Sequence, residues 1–412
     1  MDSILLKKNT QRFQKKIPLV SSKSESNRAL IINALCGFQA ELENLASARD
    51  TQTMIRLLKE DGEVADVLDA GTTMRFLTAY FSAKGQKKLM TGTPRMQERP
   101  IGILVDALRT IGVEIEYVKN EGYPPHQIQA FTDQKSDEVS IRGDVSSQYI
   151  SALLMIAPTL PKGLKINLTG EVGSIPYITM TIQLMASFGV EVMADWSMNR
   201  LEVPSQKYVP VRYKIESDWS GASYWYAVVA LAAHEDAEIE LLGLKENSLQ
   251  GDSAIVQIME VLGVKSTFTE GGVLLQKTKA QNKLVWDFAN CPDLTQTVAV
   301  VCVMKGIPAE FTGIESLKIK ETDRVLALQN ELQKIGGELV EVVKDFKYEI
   351  RFIECNPFET PKIETYEDHR MAMAFAPVSM LREVEIEEPE VVVKSYPEFW
   401  EHFSEVTELV KA

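Results

Sequence analysis

Histidine and cysteine are scarce in this 412-residue chain, with four of each. Cys36, Cys291, Cys302 and Cys355 form no Cys-x-x-Cys pair, and His126, His234, His369 and His402 are equally scattered. That dispersal argues against a zinc site or a disulfide framework and fits a reducing cytoplasm. No run of about 18 apolar residues occurs, so no membrane span is predicted. The opening residues, MDSILLKKNTQRFQKK, lack the apolar core of a secretion signal. Positive charge is in deficit, since 44 Lys and Arg face 58 Asp and Glu, a net charge of −14. Such a surface repels nucleic acid and anionic membranes, so neither is an expected partner. Nucleotide signatures are missing too, both Gly-x-x-x-x-Gly-Lys-[Ser/Thr] and Gly-x-Gly-x-x-Gly.

What the chain does have is repetition. An apolar helical run that closes on Gly, followed by a short alternating strand, recurs around Gly112, Gly189, Gly263 and Gly336. The steps between these glycines are 77, 74 and 73 residues, and a weaker copy around Gly62 lies 50 residues before Gly112. Apolar residues at three- and four-residue spacing give an amphipathic helix, and Gly supplies the left-handed residue that ends it. A period of about 75 residues is too long for a solenoid. It suits a small α/β subdomain repeated around a pseudo-symmetric body.

The unusual polar clusters fall where helices begin. In VSSKSESNRAL, Ser22-x-x-Glu25 is a capping box, so a helix is predicted to start near Lys23 with Ser24 and Arg28 on one face. Gly71 marks a second helix start, with Arg75 one turn later, and Arg95 and Arg99 precede a third. Ser146, Ser147 and Gln148 precede a fourth; Ser174, Pro176 and Tyr177 open a fifth; Asp218 a sixth. Asp293 follows Pro292 at a seventh, where a helix cap is the plainest role. Lys320, Glu321, Asp323 and Arg324 crowd an eighth, His369 and Arg370 enter a ninth, and Lys394 follows a β-branched run. Each cluster alone reads as a cap or a solvated turn. Together they concentrate cations and serines at helix starts in an acidic chain, which implies a focused pocket for a small polyanion.

In this order, SKSESNRAL, AGTTMRFL, TGTPRMQERPIG, SSQYISALLM, KETDR and DHRMAM resemble the 5-enolpyruvylshikimate-3-phosphate synthase family. The resemblance runs from about residue 10 to the C-terminus. It implies an α/β fold of two similar domains, an inside-out barrel of six repeated subdomains whose helix N-termini face the cleft between domains. It places the domains at 18–214 and at 1–17 with 215–412, with hinges near 16–18 and 213–216. The implied reaction transfers the enolpyruvyl group of phosphoenolpyruvate to the 5-hydroxyl of shikimate 3-phosphate. No metal or organic cofactor is implied, and a cytoplasmic monomer is expected.

The resemblance also implies roles. Lys23, Arg99, Arg324, Arg370 and Lys394 would hold phosphoenolpyruvate, with Gly71 giving backbone contact and Gln148 bridging. Ser24, Arg28, Ser146, Ser147, Ser174 and Lys320 would bind shikimate 3-phosphate, with Ser316 near the position of a substrate-binding Asn. Asp293 would contact the ring hydroxyls and accept a proton, while Glu321 and Lys23 are candidates for protonating the methylene carbon. Three residues depart from the common pattern, namely Asp69, Phe76 and Ser316. Asp69 is expected to point away from the ligand carboxylate and cap the helix that begins near Thr72. Residues are also missing between 59 and 68, so the first subdomain is expected to lack a strand or a hairpin. Two other readings are weighed. A UDP-N-acetylglucosamine enolpyruvyl transferase typically uses a loop cysteine as acid and lacks the KETDR and DHRM pairing. A non-catalytic anion binder of this fold is expected to have lost Asp293 or Glu321, and both are present.

Overall fold

The computed structural model describes residues 3–411. Its contacts divide the chain into two compact units, one of Met1–Val20 with Glu216–Ala412 and one of Ser21–Ile215. Each unit has its own apolar core. In the first, the helix Trp219–Leu231 is buried at every position, as its largely apolar sequence requires. In the second, the helix Ser147–Ile156 has the same central place, with nine of its ten residues buried.

The described strands form six sheets, three in each unit, and five share one plan. A parallel pair separated by a helix is extended by two antiparallel strands. Leu284–Asp287 lies parallel to Ala309–Thr312, which is followed by Lys347–Phe352 and Gly337–Val343. Val64–Asp66, Lys88–Thr91, His126–Ile128 and Ile115–Tyr117 repeat that order. So do Glu138–Arg142, Leu164–Thr169, Arg200–Val203 and Met193–Asp195. The remaining two sheets of this plan recruit strands from the start of the chain. Gln14–Pro18 pairs parallel with Glu238–Leu242. Ser3–Leu6 pairs antiparallel with both Val384–Glu387 and Leu409–Lys411.

The sixth sheet has only Glu41–Glu43 and Arg212–Lys214. This is the shortened subdomain, and it has lost its whole terminal hairpin. The helix Arg49–Lys59 ends at an extended Glu60, and Val64–Asp66 follows at once as the first strand of the next sheet. The copy around Gly62 is therefore not a repeat of the others. Gly62 is absent from the left-handed glycines, whereas Gly112, Gly189, Gly263 and Gly336 all have φ between 78° and 118°.

This contrast is testable. A methyl group on Gly263 would lie 2.7 Å from the Thr278 carbonyl oxygen, with φ at +94°. Gly263→Ala is expected to lose at least about 1–2 kcal/mol from left-handed strain alone. At Gly62 an added methyl meets nothing within 4 Å, so Gly62→Ala is expected to be neutral or slightly stabilising. Thermal melts of the two variants check this, and equal losses would contradict the assignment.

Candidate active site

Most of the candidate site residues of the Ser21–Ile215 unit lie at the starts of its helices. Ser22 caps the helix Lys23–Leu35 by accepting the Glu25 N–H at 3.4 Å. The Glu25 carboxylate accepts a hydrogen bond from the Tyr213 hydroxyl at 2.6 Å. Lys23 would suffer from the helix dipole in this first turn, but its Nζ is 3.1 Å from Oδ2 of buried Asp50. Arg28, 2% exposed, ties three helices together. Its Nε donates to Thr181 Oγ1 at 2.7 Å, one terminal nitrogen to the Ser24 carbonyl at 2.9 Å, and the other to Ser151 Oγ at 3.2 Å. Its guanidinium also lies 5.3 Å from the Phe76 ring centroid. Burial lowers the Arg28 pKa to about 10, so it stays cationic at neutral pH. These ties bring together the helices that begin beside Ser24, Ser147 and Ser174.

Ser146 caps the helix Ser147–Ile156 by accepting the Gln148 N–H at 3.3 Å. The Gln148 amide donates to Thr72 Oγ1 at 3.1 Å, which links this helix to Gly71–Ala83. Ser174 occupies the cap position of Ile175–Ser187 with φ +53° and no side-chain cap bond. At Gly71 an added methyl would lie 2.8 Å from both terminal nitrogens of Arg99 and 2.6 Å from Arg75. Only glycine lets those two guanidinium groups approach the start of this helix. Asp69 does not cap it. The capping residue is Ala70, without a side-chain bond, and Asp69 accepts two hydrogen bonds from Arg49, at 2.9 and 3.0 Å. A full opposite charge nearby outcompetes the partial charge of a helix end.

The other unit holds a denser cluster. Arg324, first residue of the helix Arg324–Gln333, is 2% exposed and surrounded by carboxylates. Its Nε is 2.6 Å from Asp368, and its terminal nitrogens are 3.0 Å from Asp293 and 3.0 Å from Glu321. Asp368 is fully buried and also caps its own helix by accepting the Arg370 N–H at 2.9 Å. The Arg370 side chain reaches Asp293 at 2.8 Å, and buried Lys394 reaches Glu321 at 3.1 Å. Asp293 is therefore not a helix cap. The turn Pro292–Leu294 and the helix Thr295–Lys305 have no side-chain cap, and its carboxylate serves two arginines. Burial alone would raise the Asp293 pKa, but Arg370, Lys320 and Arg324 hold it well below the usual carboxylate range. Ser316 stands apart in the turn Glu315–Ile319, and no hydrogen bond among the described residues joins it to this cluster.

Several partners escaped the sequence analysis. Asp50 and Asp368 hold Lys23 and Arg324. Tyr224 and Ser220 accept from Arg370 at 3.3 and 3.4 Å. Asp252, 2% exposed, accepts the Ser220 hydroxyl. Asp368 stood beside His369 in DHRMAM, but nothing in the local spacing marked Asp50 or Asp252, whose partners are 27 and 32 residues away.

Asp252 and Asp293 titrate in opposite directions. Burial, and then the charge of Asp293, push the Asp252 carboxyl up to about 7. Its unfolded value is about 3.9, so its contribution to stability is complete below about pH 4 and declines as pH rises through about 7. Asp293 is the reverse, with stabilisation present above about pH 4 and lost on acidification. Asp252→Asn is expected to flatten the decline in Tm between about pH 4 and 7, relative to the parent chain. An unchanged slope across that window would contradict the burial argument.

A family model for EPSP synthase (3-phosphoshikimate 1-carboxyvinyltransferase) matches residues 61–403. The chain is 48% identical over 391 residues to the 3-phosphoshikimate 1-carboxyvinyltransferase of Bacteroides fragilis, covering 93% of each. It is 36% identical over 424 residues to the enzyme of that name from Neisseria gonorrhoeae, covering 95% of this chain and 96% of that one. A solved structure of EPSP synthase from Acinetobacter baumannii superposes with a TM-score of 0.76 at 19% identity, covering 99% of this chain and all of the other. At that identity the likeness shows the fold.

Proposed function

The chain belongs to the EPSP synthase family and transfers the enolpyruvyl group of phosphoenolpyruvate to shikimate 3-phosphate, and from that premise we propose how its residues divide the work. The observation that carries the assignment is the cluster in which Arg324, Arg370 and Lys394 surround Asp293 and Glu321. Three cations within one buried group suit the phosphate and carboxylate of phosphoenolpyruvate. Lys23, Arg99, Gln148 and the backbone at Gly71 complete that set. Ser24, Arg28, Ser146, Ser147, Ser174, Ser316 and Lys320 bind shikimate 3-phosphate, its phosphate lying against the helix starts.

The reaction needs a proton removed from the 5-hydroxyl as its oxygen bonds to the central carbon of phosphoenolpyruvate, and a proton added to the methylene carbon. Asp293 accepts the first, and Glu321 or Lys23 delivers the second. Loss of phosphate with a proton from the new methyl group then restores the double bond. The cations stabilise the anionic charge throughout.

The two separate cores support two domains close to those expected at 18–214 and at 1–17 with 215–412, but Leu19 and Val20 pack with the first core and Ile215 with the second, so the crossovers fall at Val20–Ser21 and Ile215–Glu216. Among the described residues no helix is long and apolar enough to cross a membrane, and all four cysteines are free. A cytoplasmic location is proposed on that support, and a monomer is proposed from the family resemblance alone.

Phosphate release from phosphoenolpyruvate, with and without shikimate 3-phosphate, tests the assignment. Asp293→Ala and Glu321→Ala are each expected to lower turnover about 10²- to 10⁴-fold while the melt stays cooperative. Arg99→Ala is expected to weaken catalytic efficiency about ten- to a hundredfold. Normal turnover in either carboxylate variant would remove it from the acid–base role.

A further inference from the structure

Arg370 has four anchors, and one leads to a carboxylate outside the proposed catalytic set. Its terminal nitrogens donate to Asp293 at 2.8 Å, to the Tyr224 hydroxyl at 3.3 Å and to Ser220 Oγ at 3.4 Å, and its backbone N–H donates to Asp368 at 2.9 Å. The Ser220 hydroxyl in turn donates to Asp252 Oδ2. A serine hydroxyl has one proton and two lone pairs. With its proton committed to Asp252, the oxygen can turn only lone pairs toward Arg370. Without Asp252 the same hydroxyl rotates, and a donor facing the guanidinium would repel it.

Asp252 sits in the turn Gly251–Ala254, on an element separate from Ser220 in Trp219–Leu231 and from Arg370 in His369–Phe375. Burying a carboxylate at 2% exposure with one oxygen unpartnered is unfavourable for folding. Packing alone gains nothing from it that an apolar side chain would not give. We propose that Asp252, acting through Ser220, is a positioning residue that seats the Arg370 guanidinium for phosphoenolpyruvate. The charged groups facing it are Arg370, Asp293 and Asp218, with the Cys291 thiol also close. Arg370 alone among them is a cation. The proposal rests on Arg370 being a phosphoenolpyruvate ligand.

Steady-state kinetics on the full chain separate the two ideas. Arg370→Gln is expected to raise KM for phosphoenolpyruvate whether or not Asp252 matters. Asp252→Ala and Ser220→Ala are each expected to raise that KM roughly tenfold, with kcat and the KM for shikimate 3-phosphate within about twofold of the parent. The double variant is expected to match either single one, because both break the same chain of contacts. Asp252→Asn, whose amide oxygen still accepts from Ser220, is expected to recover most of the parental KM. Additive effects, equal rises in both KM values, or an unchanged KM in Asp252→Ala with Arg370→Gln impaired would overturn the positioning role alone. A normal KM in Arg370→Gln would overturn the ligand assignment and this role with it.

Discussion

A cation withdrawn from water must find a negative or strongly polar partner, and every proposed anion-binding feature of this chain depends on how that demand is met. Lys23 is held by Asp50, Arg324 by Asp368, Asp293 and Glu321, Arg370 by Asp293, and Lys394 by Glu321. Breaking such a group from one side leaves a buried charge uncompensated, a loss of about 3–5 kcal/mol. The cationic set is therefore built together with its own carboxylates. That is why a chain of net charge −14 can carry it.

Arg28 meets the same demand differently. Its partners are the neutral Thr181, Ser151 and Ser24 carbonyl, with the rings of Phe76 and Tyr177 at 5.3 and 5.9 Å. Burial lowers its pKa more than the nearby Tyr177 and Glu25 raise it, whereas Arg324 and Arg370, bonded to carboxylates, are shifted up. The guanidinium ties three helices together within their N-terminal halves. Phe76 thus has a physical role in this chain, since a ring packed beside a desolvated guanidinium adds cation–π attraction.

Much of this was legible in the sequence because it is local. The capping residues Ser22, Ser146, Asp218 and Asp323 accept from N–H groups two or three residues ahead, and such spacing can be read directly. The left-handed glycines at 112, 189, 263 and 336 disclosed the repeat for the same reason. Reading failed where a distant charge outcompeted a local one. Asp69 and Asp293 both stand beside helix starts, yet each is claimed by arginine from another element. Gly62 misled in another way. Its flanking helix and strand are real, but that strand opens the next sheet instead of closing its own. Asp50 and Asp252 were invisible because their partners are set by tertiary packing, not by spacing.

The depressed pKa of Asp293 raises a difficulty for its proposed role, since a carboxylate stabilised by two arginines is a weak base. The same contacts resolve it. Under the proposed assignment, the anionic groups of phosphoenolpyruvate are held by the guanidinium groups of Arg324 and Arg370 that now donate to Asp293. Substrate and carboxylate compete for those N–H groups, so each bond drawn to the substrate weakens one to Asp293. The added negative charge raises the Asp293 pKa further. Glu321 is placed alike, between Arg324 and Lys394, and an anion on those two cations favours its protonated form, which an acid requires. The carboxylates that let the chain bury its cations are thus the groups whose proton affinity rises when substrate takes their place. Under the proposed assignment, one set of ion pairs supplies both the binding charge and the timing of the acid–base chemistry.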